Sequence, residues 1–128
     1  MSDQDTTVAQ LRKLVEDFVA QRDWQRFHTP KNLAMSLAIE AAELMEHFQW
    51  LTAEQSQTLR DQPETLRPVA EELADVFCYG LAMANVLGLD VSSAICAKLA
   101  KNEQKYPVEE YRGRYGPQDA SPPARGAV

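Results

Sequence analysis

The sequence predicts an all-α fold, a four-helix bundle with short extra helices that assembles into an oligomer. Three observations predict it. Apolar residues recur at helical spacing through most of the chain, the signature of amphipathic helices packed face to face. No sustained apolar–polar alternation and no Asn-Gly hairpin turn occurs, and only five glycines are present. At 128 residues the chain suits one domain and is short for two.

The first helix is expected from Thr6 or Thr7 to Arg22, with Val8, Leu11, Leu14, Val15, Phe18 and Val19 at helical spacing. An aromatic connector follows, Asp23-Trp24-Gln25-Arg26-Phe27-His28. The second helix starts near Pro30, where a first-turn proline costs no hydrogen bond, and runs to about Leu51. Thr52 with Gln55 three residues on resembles a capping box for a short helix to about Leu59. Pro63 and Pro68 open the next helix, which reaches Leu87 and stops at Gly88. Asp90 is a suitable N-cap for a last helix from Val91 to about Tyr106, closed by Pro107. Beyond Arg114 the sequence GPQDASPPARGAV has no apolar face and is expected to be a disordered tail.

The second helix is apolar on two sides. Leu33, Leu37, Ala41, Leu44 and Phe48 form one stripe; Met35, Ile39 and Ala42 form another nearly opposite. A helix buried on two sides points to a homo-oligomer, the second stripe packing on another copy.

Charge narrows the partners. Of the −6 net charge, residues 40 to 75 hold nine acids and two bases, or −7, and the rest of the chain is +1. This excludes a basic groove for duplex nucleic acid and leaves either a cation site or a solvated acidic loop. The longest uncharged apolar stretch, Val76 to Leu89, is 14 residues, short of the roughly 20 a membrane span needs. The opening MSDQDTT has no apolar core of a signal peptide. Cys78 and Cys96 lie within helical patterns and read as small buried hydrophobes of a reducing compartment, so the cytoplasm is the expected location.

Between the two apolar stripes of the second helix runs a polar one: Ser36, Glu40, Glu43, His47. Glu40 and Glu43 are three apart and share a face. Glu72 and Asp75 repeat that spacing on the later helix, with Tyr79 one turn on, beside the apolar face Val69, Leu73, Val76, Phe77 and Gly80. Four carboxylates brought together repel one another and lose hydration unless a cation cancels their charge. All-oxygen ligands suit Mg²⁺, with Mn²⁺ also compatible. A di-iron centre in a helical bundle would need Glu-x-x-His pairs, which are absent here. The other reading of each pair is a solvated helix edge. On the last helix Lys98, Lys101, Asn102 and Lys105 share a face, equipment for phosphate oxygens or lysines complementing a helix end. No Gly-rich phosphate loop exists. Trp24, Phe27, His28 and Trp50 are either core plugs or a stacking surface for a nucleobase.

The string Arg22-Asp23-Trp24-Gln25-Arg26-Phe27-His28-Thr29-Pro30-Lys31-Asn32-Leu33, followed by Glu40-Ala-Ala-Glu43 and Phe48-Gln49-Trp50, resembles the all-α nucleoside triphosphate pyrophosphohydrolases of the MazG-like superfamily, nearest to its dCTP pyrophosphatase branch. Glu71-Glu72-Leu-Ala-Asp75 and Lys98-Leu-Ala-Lys-Asn102-Glu-Gln-Lys105 fit the later motifs in the same order. The resemblance implies a MazG-like nucleotide pyrophosphohydrolase domain over residues 1–112, with 113–128 as tail. It implies Mg²⁺-dependent hydrolysis of a nucleoside triphosphate, dCTP or a modified dCTP, to the monophosphate and pyrophosphate. By matched position Glu40, Glu43, Glu72 and Asp75 are the expected metal ligands and catalytic carboxylates, Glu43 being preferred for orienting or deprotonating the attacking water. Trp24, His28, Asn32, Trp50 and Tyr79 are expected at the base and sugar, and Lys98, Asn102 and Lys105 at the phosphates. A homotetramer, a dimer of dimers, with sites near subunit interfaces is implied. The alternatives are a broad-specificity or phosphoribosyl-ATP-type pyrophosphohydrolase and a non-catalytic helical module whose acidic stripe binds a basic partner.

Overall fold

The computed structural model of the chain describes residues 1–114, most of them in helices: α1 (Val8–Ala20), α2 (Pro30–Glu46), α3 (Ala53–Thr58), α4 (Pro63–Leu87), α5 (Val91–Lys105) and α6 (Val108–Tyr111). No strand occurs among these residues, so the all-α expectation holds. From residue 115 on, the expected tail lies outside the described residues. Among them no single helix is long and apolar enough to cross a membrane. The chain divides into two compact units, Met1–Val91 and Ser92 onward.

In the first unit α2 lies along α4, and α1 also packs on α4. Thr7 and Gln10 form a reciprocal capping box at α1. Thr29 caps α2 ahead of Pro30, and Thr52 with Gln55 caps α3. Each satisfies backbone donors that a helix start leaves unpaired.

The helices end earlier than periodicity suggests, for identifiable reasons. α1 stops at Ala20, not Arg22, because Asp23 turns into the left-handed region at φ 53°. The amides of Asp23 and Trp24 then donate back to the carbonyls of Ala20 and Val19, a Schellman ending without its usual glycine. α2 stops at Glu46, not Leu51, as the amides of His47, Phe48 and Leu51 bond three residues back rather than four. Trp50 therefore sits on a turn instead of a helix face. After Pro107 the chain makes one further turn of helix, α6, which periodicity missed.

Among the described residues the buried apolar ones are Leu33, Leu59, Ala82 and Ala84. The first stripe of α2 faces inward at Leu33, which is buried, and at Leu37, Leu44 and Phe48, which are half-buried, whereas Ala41 of the same expected stripe is exposed. The second faces out, with Met35 50% and Ile39 57% exposed. On α4 the expected core face is only partly covered, since Leu73 is 43% and Phe77 63% exposed. Cys78 and Cys96, expected to be buried, are exposed. These are corrections: among the described residues of the first unit, neither α1 nor α2 covers the Leu73, Phe77 and Cys78 side of α4, and Cys96 lies exposed on α5 of the second unit.

A lock joins α1 to the end of α4. Half-buried Arg12 donates from Nε to Asn85 Oδ1 at 2.8 Å and from Nη1 to the Leu89 carbonyl at 2.7 Å, while Asn85 Nδ2 donates to the Arg12 carbonyl at 3.0 Å. Gly88, at φ 63°, makes the turn that exposes these carbonyls. Removing Arg12 leaves the Asn85 side-chain oxygen and the Leu89 carbonyl without this donor. Arg12→Ala is thus expected to cost about 2 kcal/mol and to lower the thermal midpoint by about 8 °C. Lys13→Ala, one residue on, breaks only an exposed pair with Asp17 and is expected to leave the thermal midpoint nearly unchanged. Thermal melts of the two variants followed by circular dichroism check the contrast.

Candidate metal centre

The i, i+3 spacing on α2 and α4 does bring carboxylates together. Glu40, Glu43 and Glu72 each offer an oxygen within 4.8 Å of the others. Glu40 and Glu72 are half-buried and Glu43 is exposed, so the cluster opens to solvent on the Glu43 side. Asp75 is not part of that closest group, yet its charge acts on Glu40. Burial pushes the Glu40 carboxyl above its ordinary pKa, and the charges of Glu43, Asp75 and Glu72 push it further. The cluster is therefore electrostatically unfavourable as it stands. Like charges at this spacing are relieved by protonation or by a cation. Three to four carboxylates without nitrogen or sulfur donors form a hard-ligand set, and such a set fits Mg²⁺ or Mn²⁺. His47 caps α2 at its end.

The connector between α1 and α2 holds the aromatic candidates. Trp24 is 42% and Phe27 53% exposed, which does not fit core plugs. The His28 ring donates from Nδ1 to the Trp24 carbonyl at 3.0 Å, since a carbonyl only accepts, and its Nε2 is left for other partners. The Asn32 amide donates to the Phe27 carbonyl at 3.0 Å, so this residue serves first to fold the connector. Trp50 is 87% exposed, and Tyr79 is half-buried on α4.

Beside the connector lies a cavity of about 510 Å³ between α1 and α4. Val15, Val19, Ala82 and Val86 supply its apolar walls, and Lys13, Glu16, Asp17, Gln25, His28 and Asn85 supply polar and charged groups. Of the candidate site residues it includes His28 alone; Glu40, Glu43, Glu72 and Asp75 do not line it.

In the second unit Lys98, Asn102 and Lys105 share one face of α5. Lys98 and Lys105 are exposed, Asn102 is half-buried, and the Lys105 ammonium lies 5.2 Å from the Tyr106 ring.

Sequence reasoning missed the Arg12–Asn85 lock and the packing of Phe18 and Arg22 around Trp24. The first joins residues 73 apart and has no local signal. The second was signalled, since Arg22-Asp23-Trp24 opens the connector string, but the left-handed turn at Asp23 that brings the groups together is a backbone event.

The model of the MazG-like family matches residues 35–115. The chain is 38% identical over 107 residues to dCTP pyrophosphatase 1 of Rattus norvegicus, covering 84% of this chain and 63% of that protein. With dCTP pyrophosphatase 1 of Homo sapiens it shares 36% over 102 residues, covering 80% and 60%. The chain thus spans less than two thirds of the length of these relatives. A pyrophosphatase of known structure from Archaeoglobus fulgidus is similar at a TM-score of 0.71 and 37% identity, covering 84% of this chain and 98% of that one.

Proposed function

Because the chain belongs to the MazG-like family, we propose that it hydrolyses a nucleoside triphosphate, dCTP or a modified dCTP, to the monophosphate and pyrophosphate. The observation that carries this reading is the convergence of Glu40, Glu43 and Glu72 at the α2–α4 contact, in a chain whose mammalian relatives are dCTP pyrophosphatases. Glu40, Glu43, Glu72 and Asp75 would hold Mg²⁺. When bound there, the ion supplies charge neutralisation of the triphosphate and Lewis-acid activation of its phosphorus.

The chain's own groups do the rest. Glu43, on the exposed side of the cluster, orients the attacking water and accepts its proton. The water oxygen bonds to the α-phosphorus, the bond from that phosphorus to the α–β bridging oxygen breaks, and pyrophosphate leaves in line. Lys98, Asn102 and Lys105 take the phosphate oxygens. Trp24, Trp50 and Tyr79, with His28 of the connector and Asn32 at the start of α2, form the base and sugar pocket over the domain 1–112.

Assembly belongs to the same proposal. Among the described residues four apolar side chains are buried, few for a helical domain of this size, and the outward stripe of α2 adjoins the carboxylates. Burying Met35, Ile39, Leu73 and Phe77 against other copies gives a homotetramer, a dimer of dimers, with its sites close to the interfaces. The cytoplasm, where Cys78 and Cys96 stay reduced, is the proposed location.

Pyrophosphate release from dCTP tests the reading. Release with Mg²⁺ that stops on adding EDTA is expected, with dCTP or a 5-modified dCTP preferred over dTTP and dATP. Equal turnover of all four, or of a phosphoribosyl-ATP, would replace the cytosine assignment by a broad one. No release from any of them would leave a non-catalytic helical module.

A further inference from the structure

Within the first unit, Phe18 and Arg22, one helical turn apart in sequence, are joined by Trp24 from beyond the helix end. The Arg22 guanidinium lies 3.6 Å from the centroid of the Phe18 ring and 5.9 Å from that of Trp24. The Phe18 and Trp24 rings meet edge to face, with centroids 6.0 Å apart at 74°. Arg22 is tethered as well, donating from Nη1 to the Phe18 carbonyl at 2.9 Å. What permits this is the left-handed residue between them: Asp23 at φ 53° reverses the chain, so Trp24 comes back toward the Phe18 and Arg22 side of α1.

An edge-to-face aromatic contact and a cation over a ring are both directional. Together with the His28 hydrogen bond to the Trp24 carbonyl, they fix the indole from its ring side and from its backbone side. Yet 42% of Trp24 remains exposed. A large apolar ring held in one orientation and left half open is suited to receiving a flat partner, because the ordering cost has been met before binding.

We propose that Phe18 and Arg22 are positioning residues that hold the Trp24 indole as a preassembled stacking face for the base of the substrate. This rests on the nucleotide reading above. Neither residue touches the reacting atoms; both act through Trp24. Disordering the indole weakens binding of the base and leaves the chemistry at the carboxylates intact.

The chain has two tryptophans, so in a Trp50→Phe background the emission reports Trp24 alone. The probe is dCMP, titrated against that emission, while steady-state hydrolysis of dCTP is followed with the same changes in protein that keeps Trp50. Adding Phe18→Leu or Arg22→Ala is expected to weaken dCMP quenching and raise KM by roughly fivefold to tenfold, with kcat within about twofold of the background protein. Arg22→Lys, which keeps a cation over the ring, is expected to recover most of the loss. The Arg22 side chain is exposed, so its variants carry the test even where Phe18→Leu fails to fold. Quenching and KM unchanged in both variants, or a fall in kcat at constant KM, would overturn the proposal while leaving a working pyrophosphohydrolase. Quenching sensitive to Phe18 and Arg22 in a protein that releases no pyrophosphate would support the stacking face and refute the hydrolytic reading instead.

Discussion

Glu43→Gln is expected to lower dCTP turnover by at least about a hundredfold, with Asp75→Asn similar, because each removes a carboxylate from metal-assisted chemistry. The fold should survive in both, since Glu43 and Asp75 are exposed and no described hydrogen bond or salt bridge to another residue's backbone is lost with them. Near-wild-type turnover in both variants would discard the site. The cluster also makes an opposite prediction for stability. Burial and the neighbouring acids hold the Glu40 pKa above that of a free glutamate, so the folded chain binds that proton more tightly than the unfolded chain does. Its contribution therefore favours the fold at low pH and is lost as pH rises from the ordinary glutamate range through Glu40's own. Glu40→Gln is expected to raise the melting temperature of the metal-free protein at neutral pH and to remove the rise that Mg²⁺ produces in the wild type. A Glu40→Gln protein that melts below the wild type without metal would contradict this account of the charge.

Ile39→Asp is expected to break the assembly. Ile39 is 57% exposed on the outward stripe of α2, so in a lone chain an aspartate there would be solvated and nearly neutral in effect. In an interface it would be an unpaired buried charge, costing about 3–5 kcal/mol per copy. That corresponds to two or more orders of magnitude in the association constant for each contact, roughly 1.4 kcal/mol per factor of ten. Light scattering at micromolar concentration should report the change as a loss of mass, with turnover falling alongside because the carboxylates flank the same stripe. A wild-type protein that is already a clean monomer, or an Ile39→Asp protein of unchanged mass, would remove the oligomer from the proposal. Phe77→Asp on α4, at 63% exposure, should behave alike.

Much of the site was legible because helical spacing converts sequence distance into direction. Glu40 and Glu43, or Glu72 and Asp75, share a face wherever their helix goes. The two-sided character of α2 was legible for the same reason, and the outward exposure of Met35 and Ile39 follows the stripe drawn from periodicity. Helix ends were less legible. Asp23 and the tightening after Glu46 are decided by single backbone angles, which side-chain patterns constrain weakly. Trp50 moved from a helix face to a turn on that account.

By itself, then, the order of residues determined the helices, the placing of four acids on two of them, and the surplus apolar stripe, because each depends only on spacing along a regular 3.6-residue repeat. Only the tertiary structure decided that Glu40, Glu43 and Glu72 fall within 4.8 Å of one another, that Arg12 locks α1 to α4, and that Trp24 is braced by Phe18 and Arg22. Those depend on how α2 and α1 lie against α4 and on one left-handed residue, and the distance between two helix faces is written in no local pattern.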